Sequence, residues 1–136
     1  MSKSAIYTVN NTLAEIVDGD TIPLGTIIRR YGQNVRQNGN AVAICDKPGC
    51  PGYYMVHVVA TIETSTAGDY KVKLLQDGID VIGGVAEINP APATTILPFP
   101  INIPVRNSCG GDSALSIKLE GGDAKIINMT TVVEKL

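Results

Sequence analysis

Apolar and polar residues alternate with a period of two through most of this chain, and turn-forming residues interrupt the alternation at short intervals. No window carries apolar residues at helical spacing over three turns without a glycine or proline. Short alternating segments separated by turns are typical of a β-sandwich or barrel. The pattern predicts about ten strands, at 5–9, 13–17, 25–31, 41–45, 53–64, 69–76, 79–86, 95–105, 114–119 and 125–135.

Turn residues between these segments predict how the strands connect. Asp77-Gly78 can adopt the positive φ angles of a tight hairpin turn, and Gly121-Gly122-Asp123 can do the same. The prolines between residues 90 and 104 each lack a backbone donor, so they predict a loop followed by an edge or irregular strand. These prolines are Pro90, Pro92, Pro98, Pro100 and Pro104.

Two predicted strands have one polar face, as expected for a strand that lies between core and water. In 69–76, Lys71 and Lys73 alternate with apolar residues, and 114–119 has a similar pattern. The strands 53–60, 95–105 and 125–135 lack such a face. The faces of 53–60 consist of Tyr54, Val56, Val58 and Ala60 on one side and Tyr53, Met55, His57 and Val59 on the other. In 125–135, one face carries Ile127, Met129, Thr131 and Val133.

Strands without a polar face need an apolar cover on both sides, and a two-layer sandwich of 136 residues has only one interior. Either a second copy covers the outer face, which is the interpretation we favour, or a loop of the same chain around 90–100 lies over it. The pattern therefore predicts an all-β, two-layer antiparallel sandwich that associates with itself.

Composition limits the partners of this chain. The 11 basic and 13 acidic residues give a net charge of -2 without a basic cluster, which argues against nucleic acid. No stretch is suited to spanning a bilayer, and the first residues lack the apolar run of a signal peptide, so we expect no membrane partner. A chain of this length suits one domain, here 5–136 after a short arm at 1–4.

Residues able to carry chemistry are few. Cys45 and Cys50 lie on either side of a Pro-Gly turn, and Cys109 lies in a glycine-rich segment. Zinc needs four ligands, and the chain has one histidine, so a loop disulfide or free thiols are the interpretation, with no metal and no cofactor. His57 lies among apolar residues without a paired nucleophile, so the sequence predicts no catalytic residue and no enzyme.

Two further groups of residues are candidates for binding. Asp18-Gly19-Asp20 and Gly121-Gly122-Asp123 offer carboxylates that could bind calcium, although turn formation alone accounts for them. Tyr31, Arg36 and Arg106 place cations and an aromatic ring near predicted loops, where they could bind a ligand, although a solvated strand end also explains the first two.

Short glycine-aromatic cues in this strand order resemble a known family. They are Gly52-Tyr53-Tyr54, Ala67-Gly68-Asp69-Tyr70, Leu74-Leu75-Gln76-Asp77-Gly78, and Ala124-Lys125-Ile126-Ile127-Asn128 leading into Thr131-Val132-Val133-Glu134-Lys135-Leu136. From about residue 5 onward the chain resembles the tumour necrosis factor-like and complement globular-head jelly rolls. It is most similar to their bacterial and bacteriophage relatives, which include spore-surface glycoprotein tips and phage head-decoration or fibre proteins.

The resemblance implies a jelly roll of about ten strands that forms a homotrimer around its inner sheet. It places 53–60, 95–105 and 125–135 in the inner sheet and 69–76 and 114–119 in the outer sheet, in agreement with the alternation. Either face of 53–60 could lie near the axis, and the face with His57 is the favoured interface because it is the less apolar one. The implied interface residues are Tyr53, Met55, His57, Val59, Ile127, Met129 and Val133. Three His57 side chains near the axis could bind an anion or metal, or weaken assembly as the pH falls.

Many relatives carry a stalk or anchor before the head, whereas about four residues precede the first predicted strand here. This favours a homotrimeric phage-capsid decoration or fibre protein, a structural component of the virion surface that is made in the bacterial cytoplasm and binds the major capsid protein. The alternative is a carbohydrate- or receptor-binding module on a particle or spore surface. Its loops 32–52 and 106–112 would carry the surface that binds glycans, and Tyr31, Tyr53 and Tyr54 could stack on the ligand.

Overall fold

A computed structural model describes residues 3–64, 68–90, 95–108 and 110–136. These residues form eleven β-strands and no helix. The strands are β1 (Ala5–Asn10), β2 (Ala14–Ile16), β3 (Thr26–Tyr31), β4 (Val35–Asn38), β5 (Ala41–Asp46), β6 (Gly52–Thr64), β7 (Tyr70–Gln76), β8 (Ile79–Ile88), β9 (Thr95–Asn107), β10 (Gly111–Glu120) and β11 (Ala124–Lys135). Within the described ranges, no helix is long and apolar enough to cross a membrane.

The strands form two antiparallel sheets. Sheet A has the order β3-β1-β11-β6-β9, with β2 pairing the start of β11, and sheet B has the order β4-β5-β10-β7-β8. The predicted all-β sandwich is confirmed, and so is the predicted division of strands, because β6, β9 and β11 lie in one sheet and β7 and β10 in the other. β4 was not predicted, since its four residues, VRQN, have a single apolar side chain.

The core lies between the two sheets and is built from the alternating apolar positions. On β7, Val72 is fully buried and Leu74 nearly so, while Lys71 and Lys73 face outward with intermediate exposure. On β6, the face beginning at Tyr54 lies inside, and the face beginning at Tyr53 lies outside. Each fully buried side chain of this size contributes roughly 1.5–3 kcal/mol by leaving water. A register shift of one residue would expose these side chains, so the observed register is strongly preferred.

A β-bulge in β11 reverses its alternation. Ile126 pairs with Ile62 and Asn128 pairs with Thr61, so Ile127 is an extra residue on the β11 side. The extra residue shifts the following positions to the opposite face. As a result Met129 and Val133 are buried in the core. The prediction that these two lie on the interface face is therefore wrong, while Ile127 itself is half-buried at the bulge.

The predicted turns have different outcomes. Asp77 and Gly78 have φ angles of 53° and 80° and join β7 to β8 as a tight hairpin, as predicted. The segment at Gly121 joins β10 of sheet B to β11 of sheet A, so the prediction of a hairpin there is wrong. Its backbone turns between layers, which no local cue distinguishes from a turn within one sheet.

The proline-rich segment ends in an edge strand, as predicted. β9 pairs only with β6 among the described strands, over thirteen residue pairs. Its prolines at 98, 100 and 104 are all at even positions, so the backbone donors that they lack would all point to the same edge of the strand. The N–H groups of the odd positions point to the other edge and remain available for the ladder with β6. Pro92 lies outside the described residues.

Candidate assembly interface

The outward surface of sheet A is apolar over several adjacent strands. Tyr53 is 50% exposed and Val59 is 45% exposed, although both alternate with buried residues of the same strand. We call this surface the sheet A face. Its apolar members are Tyr7 and Val9 on β1, Tyr53, Met55 and Val59 on β6, Pro98, Pro100 and Pro104 on β9, and Val132 on β11.

The strand registers make the sheet A face continuous. Val59 pairs with Pro100 on one side and with Thr130 on the other. Val132 pairs with Tyr7 on β1, so the apolar surface extends across β11 to the β1 side of the sheet. Side chains paired across antiparallel strands lie within contact distance of each other, and the apolar positions therefore form one patch rather than scattered exposures.

Polar side chains also lie on the sheet A face, among them Thr61 and Glu63 on β6, Thr130 on β11 and Arg106 on β9. His57 lies opposite Asn102 on β9, and its Nε2 is 3.6 Å from Glu134 Oε1 on β11. Both side chains of this pair are more than 40% exposed, so water screens the interaction in a single chain.

The outward surface of sheet B has the opposite character. Lys73 bridges Asp80 and Glu120, with Nζ to oxygen distances of 3.2 and 2.9 Å. The paired lysines and carboxylates give this surface the polar groups that water requires, in agreement with the predicted alternation of 69–76 and 114–119. The central strands of sheet B are therefore solvated on their outward side, whereas its edge strand β8 exposes Ile79, Ile82 and Val85.

The alternative cover for the sheet A face, a loop around 90–100, fails for the part that the structure describes. Residues 95–100 belong to β9 and extend the sheet beside β6 instead of lying over it. Residues 91–94 lie outside the described ranges.

The candidate ligand-binding residues do not converge. Tyr31 on β3 and Arg106 on β9 belong to opposite edges of sheet A, which are about 19 Å apart at the usual strand spacing. Arg36 lies on β4 in the other sheet. Arg106 does have an aromatic partner, because its guanidinium carbon is 5.6 Å from the centre of the Tyr53 ring. The three residues therefore do not form one site.

Cys45 and Cys50 are free thiols, and Cys109 lies outside the described residues. A hydrogen bond with the Asp112 carboxylate, together with burial, raises the pKa of the Cys45 thiol. Among the residues that the structure places, no group of three or more His, Cys, Asp or Glu side chains is arranged to hold a metal ion.

The two aspartate turns bind each other. Asp18 N–H donates to Asp123 Oδ1, and Gly121 N–H donates to Asp18 Oδ1, both at 2.9 Å. These reciprocal bonds connect the β2–β3 loop to the link between the sheets. The structure thus gives these carboxylates a role in turn formation.

A buried polar cluster was not predicted. Asp46 of sheet B accepts hydrogen bonds at 2.9 Å from Tyr54 Oη, Asn107 Nδ2 and Lys135 Nζ, all on strands of sheet A. Burial favours the protonated carboxyl, but the three donors outweigh it and lower the pKa of Asp46. In sequence Asp46 resembles an ordinary loop residue beside Lys47-Pro48-Gly49. Only its distant partners reveal that it joins the two sheets.

Comparison with known proteins agrees with this architecture. No family model matches the chain, and no curated protein matches it in sequence. Among solved structures, murine APRIL at pH 5.0 superposes with a TM-score of 0.74 at 14% identity, covering 99% of this chain and 100% of that one. The fold is a tumour necrosis factor-like jelly roll.

Two further structures share this fold at similarly low identity. Eiger TNF from S. frugiperda has a TM-score of 0.64 at 12% identity, covering 98% of this chain and 91% of that one. The PRD1 vertex protein P5 has a TM-score of 0.50 at 12% identity, covering 97% and 95%. The jelly roll thus occurs both in murine APRIL and Eiger TNF and in a vertex protein.

Proposed function

We propose that this chain is a structural virion protein, a homotrimeric decoration or fibre protein that binds and reinforces a phage capsid. Its partners are further copies of itself and the major capsid protein, and its place is the virion surface after synthesis in the bacterial cytoplasm. The observation that carries the proposal is the uncovered sheet A face. It is an extended apolar surface, whereas the outward side of the central strands of the other sheet carries lysines and carboxylates.

Burial of the sheet A face provides the driving force for self-association. Apolar surface gains about 25 cal/mol for each Å² removed from water, and stable interfaces bury about 800 Å² on each partner. Tyr53, Met55 and Val59 supply such surface without ordering new backbone, because β6 is held between β11 and β9. The resemblance to the tumour necrosis factor-like family favours three copies.

Two points support a role on a particle. The fold occurs in a phage vertex protein, PRD1 P5. The described residues also include no catalytic constellation, since His57 contacts Glu134 without a neighbouring nucleophile. A trimer that binds through its base or its loops would stabilise a shell by bridging capsid subunits.

Self-association is tested by the mass in solution. Light scattering is expected to give about 43 kDa for the native protein, three times the 14.3 kDa of one chain. Val59→Lys places a charge on the sheet A face and is expected to give monomers. Leu13→Lys is the matched control, because Leu13 is also exposed but lies outside the sheets. A native protein that is monomeric at high concentration would falsify the proposal.

Particle binding needs a separate experiment. Cryo-electron microscopy of phage particles from hosts expressing the chain, compared with particles that lack it, is expected to show added trimeric density on the capsid. Particles that look the same with and without the protein would exclude decoration, even if the protein is trimeric.

A carbohydrate- or receptor-binding module is the second candidate function. It is favoured by the Arg106–Tyr53 stack, which adjoins a cleft of about 580 Å³ between the β7–β8 hairpin and the end of β9. An aromatic ring beside a guanidinium can stack on a sugar and donate hydrogen bonds to it. Binding on a glycan array that is lost in Arg106→Ala, while the trimer persists, would favour this function over capsid reinforcement.

A further inference from the structure

Strand β3, at the margin of sheet A, is exposed along its whole length. It pairs with β1 on one side, and no other strand within the described ranges pairs with its second side. All six of its residues are exposed, whereas its neighbour β1 alternates between buried and more exposed positions. An unpaired strand edge presents backbone N–H and C=O groups with which an extended segment of another chain can pair.

The other sheet edges are better protected against strand addition than β3. The prolines of β9 lack the backbone donors that would point away from β6, and β4 is only four residues long. β8 packs against β9, since a Cβ at Gly84 would lie 3.2 Å from Ile103 Cδ1. β3 contains neither proline nor lysine, and a bulge at Ile28 is its one interruption.

Two isoleucines of β3 project beyond the margin of the core. Ile27 pairs with Thr8 and Arg30 pairs with Ile6, and both partners on β1 are buried, so these positions face the sheet B side. Ile28 is the extra residue of the bulge, and counting back by two from Arg30 places it on the same side. Ile27 is 41% exposed and Ile28 is 58% exposed. Sheet B therefore leaves both side chains partly uncovered.

The chain around β3 is cationic. Residues 21–45 contain Arg29, Arg30 and Arg36 and no Asp or Glu, which is +3 in a chain of net charge -2, so the remainder carries -5. None of the ion pairs within the described part of the chain involves these arginines. Arg30 instead donates from Nε to the carbonyl oxygen of Val35 at 2.6 Å and connects β3 to β4. The arginines are therefore free of carboxylate partners of this chain.

We propose that the free edge of β3 binds an extended acidic segment of a partner protein as an additional strand of sheet A. Arg29 pairs with Tyr7, which faces outward, so acidic side chains on the outward side of the added strand lie beside Arg29. Apolar side chains on its other side cover Ile27 and Ile28. The partner segment therefore alternates acidic and apolar residues. A second copy of β3 does not fit, because it would place arginines beside arginines.

This inference adds a partner contact to the proposed function and rests on it only for the identity of the partner, the capsid protein. A strand added at β3 extends sheet A in its own plane by about 4.8 Å. It therefore leaves the sheet A face available for self-association. A polyanion such as polyphosphate is the competing occupant. It would pair with the arginines and leave both isoleucines in water, whereas an added strand covers both kinds of side chain.

A synthetic peptide with blocked ends that alternates glutamate and valine tests the proposal. Fluorescence anisotropy measures its binding to the native protein at pH 7 and physiological salt. The control peptide has the same composition with glutamates and valines in separate blocks. It is expected to bind at least tenfold more weakly, because it does not present acids on one side and valines on the other. Equal binding of the two peptides, or no binding of the alternating one, would overturn the proposal.

Variants of the protein locate the binding site. Arg29→Glu is expected to weaken binding of the alternating peptide at least tenfold, and Ile28→Ser several-fold. Lys125→Glu is the matched control with native binding, because Lys125 is exposed on β11 and makes the same charge change away from β3. Melting temperatures equal to that of Lys125→Glu show that the variants are folded. Native binding by Arg29→Glu would show that the edge of β3 is not the site.

N-methylation of the peptide separates a backbone ladder from side-chain contacts. The N–H groups of alternate residues point to opposite edges of a strand. Methylation of one alternate set is therefore expected to abolish binding, and methylation of the other set to leave it intact. If both sets have the same effect, strand addition is wrong. If inorganic polyphosphate binds the native protein and the peptide does not, the arginines form a polyanion site instead.

The peptide experiments need neither a trimer nor a particle. A protein that assembles without binding the alternating peptide contradicts strand addition and leaves the proposed function standing. A monomeric native protein that binds the peptide contradicts the proposed function and supports strand addition.

Discussion

His57 Nε2 on β6 lies 3.6 Å from Glu134 Oε1 on β11, on the face that also carries Tyr53, Met55 and Val59. Val132 and Asn102 lie opposite His57 on the neighbouring strands, so Glu134 is the one ionisable group facing it among the described residues. Self-association through this face would remove the histidine from water. The Glu134 carboxylate would leave water in the same contact, which costs free energy unless the contact pairs its charge.

The first prediction is that Glu134→Gln strengthens assembly. Burial of the sheet A face would remove the Glu134 carboxylate from water, which costs free energy unless the contact pairs the charge. Light scattering over a dilution series at constant pH is expected to show that Glu134→Gln dissociates at a lower protein concentration than the native protein. A Glu134→Gln variant that dissociates more readily than the native protein would contradict this cost.

The second prediction concerns Asp46. Asp46→Asn is expected to destabilise the fold by about 3 kcal/mol, because Lys135 loses the carboxylate that balances its charge at a buried site. Asp80→Asn is the control, since its pair with Lys73 is exposed and is worth less than about 1 kcal/mol. Denaturant unfolding at pH 7 measures both. Equal losses of unfolding free energy for the two substitutions would contradict a larger contribution from the buried Asp46 cluster.

The same carboxylate predicts an acid-sensitive contribution to stability. The pKa of Asp46 lies below its ordinary value of 3.8 in the folded chain, so its contribution is present above that value. It is lost as the pH falls through the lower folded pKa. The free energy difference between the native protein and Asp46→Asn is therefore expected to be constant from about pH 7 to 5 and to shrink below about pH 4. A difference that does not change with pH would contradict this assignment.

The third prediction concerns two adjacent hydroxyl groups in the core. Thr8 and Thr131 pair across β1 and β11, and neither Oγ1 has a hydrogen-bond partner within the described residues. Replacing both by valine is expected to be neutral or to stabilise the fold by about 1 kcal/mol, since an unsatisfied buried hydroxyl is unfavourable. Ser113→Ala, which removes a 2.7 Å bond to Asp77, is expected to destabilise instead. Thermal unfolding compares the variants.

The fourth prediction concerns Gly121, where the chain passes from sheet B to sheet A. Its φ is 106°, and a Cβ there would collide with the carbonyl oxygen of Asp69. Gly121→Ala is expected to cost more than about 2 kcal/mol, because both the backbone conformation and the contact are unfavourable. Gly39→Ala is the control, because Gly39 has a positive φ of 61° and open space around it. Its loss of stability measures the cost of the backbone conformation without a steric contact. Similar losses for both variants would show that the Asp69 contact is unimportant.

The sequence by itself determined the β-sandwich and the division of its strands between sheets. Alternation is a local property of the sequence. Lys71 and Lys73 therefore indicated a strand with one solvated face, and the lack of polar positions in 53–60 indicated a strand with two apolar faces. Asp77-Gly78 identified its hairpin because the required φ angles are a local property. Counting by two along an unbroken strand also grouped Tyr53, Met55, His57 and Val59 on one face, and the structure shows that this face is the outward one.

Only the tertiary structure decided where that counting fails and which distant residues meet. The bulge at Ile127 buries Met129 and Val133, and the bulge before Val85 exposes Ile82, because each depends on pairing with another strand. The contact of Asp46 with Lys135 joins residues from the two sheets. A bulge or a buried ion pair is stabilised by partners far away in the chain, and no local pattern of apolar and polar residues specifies them.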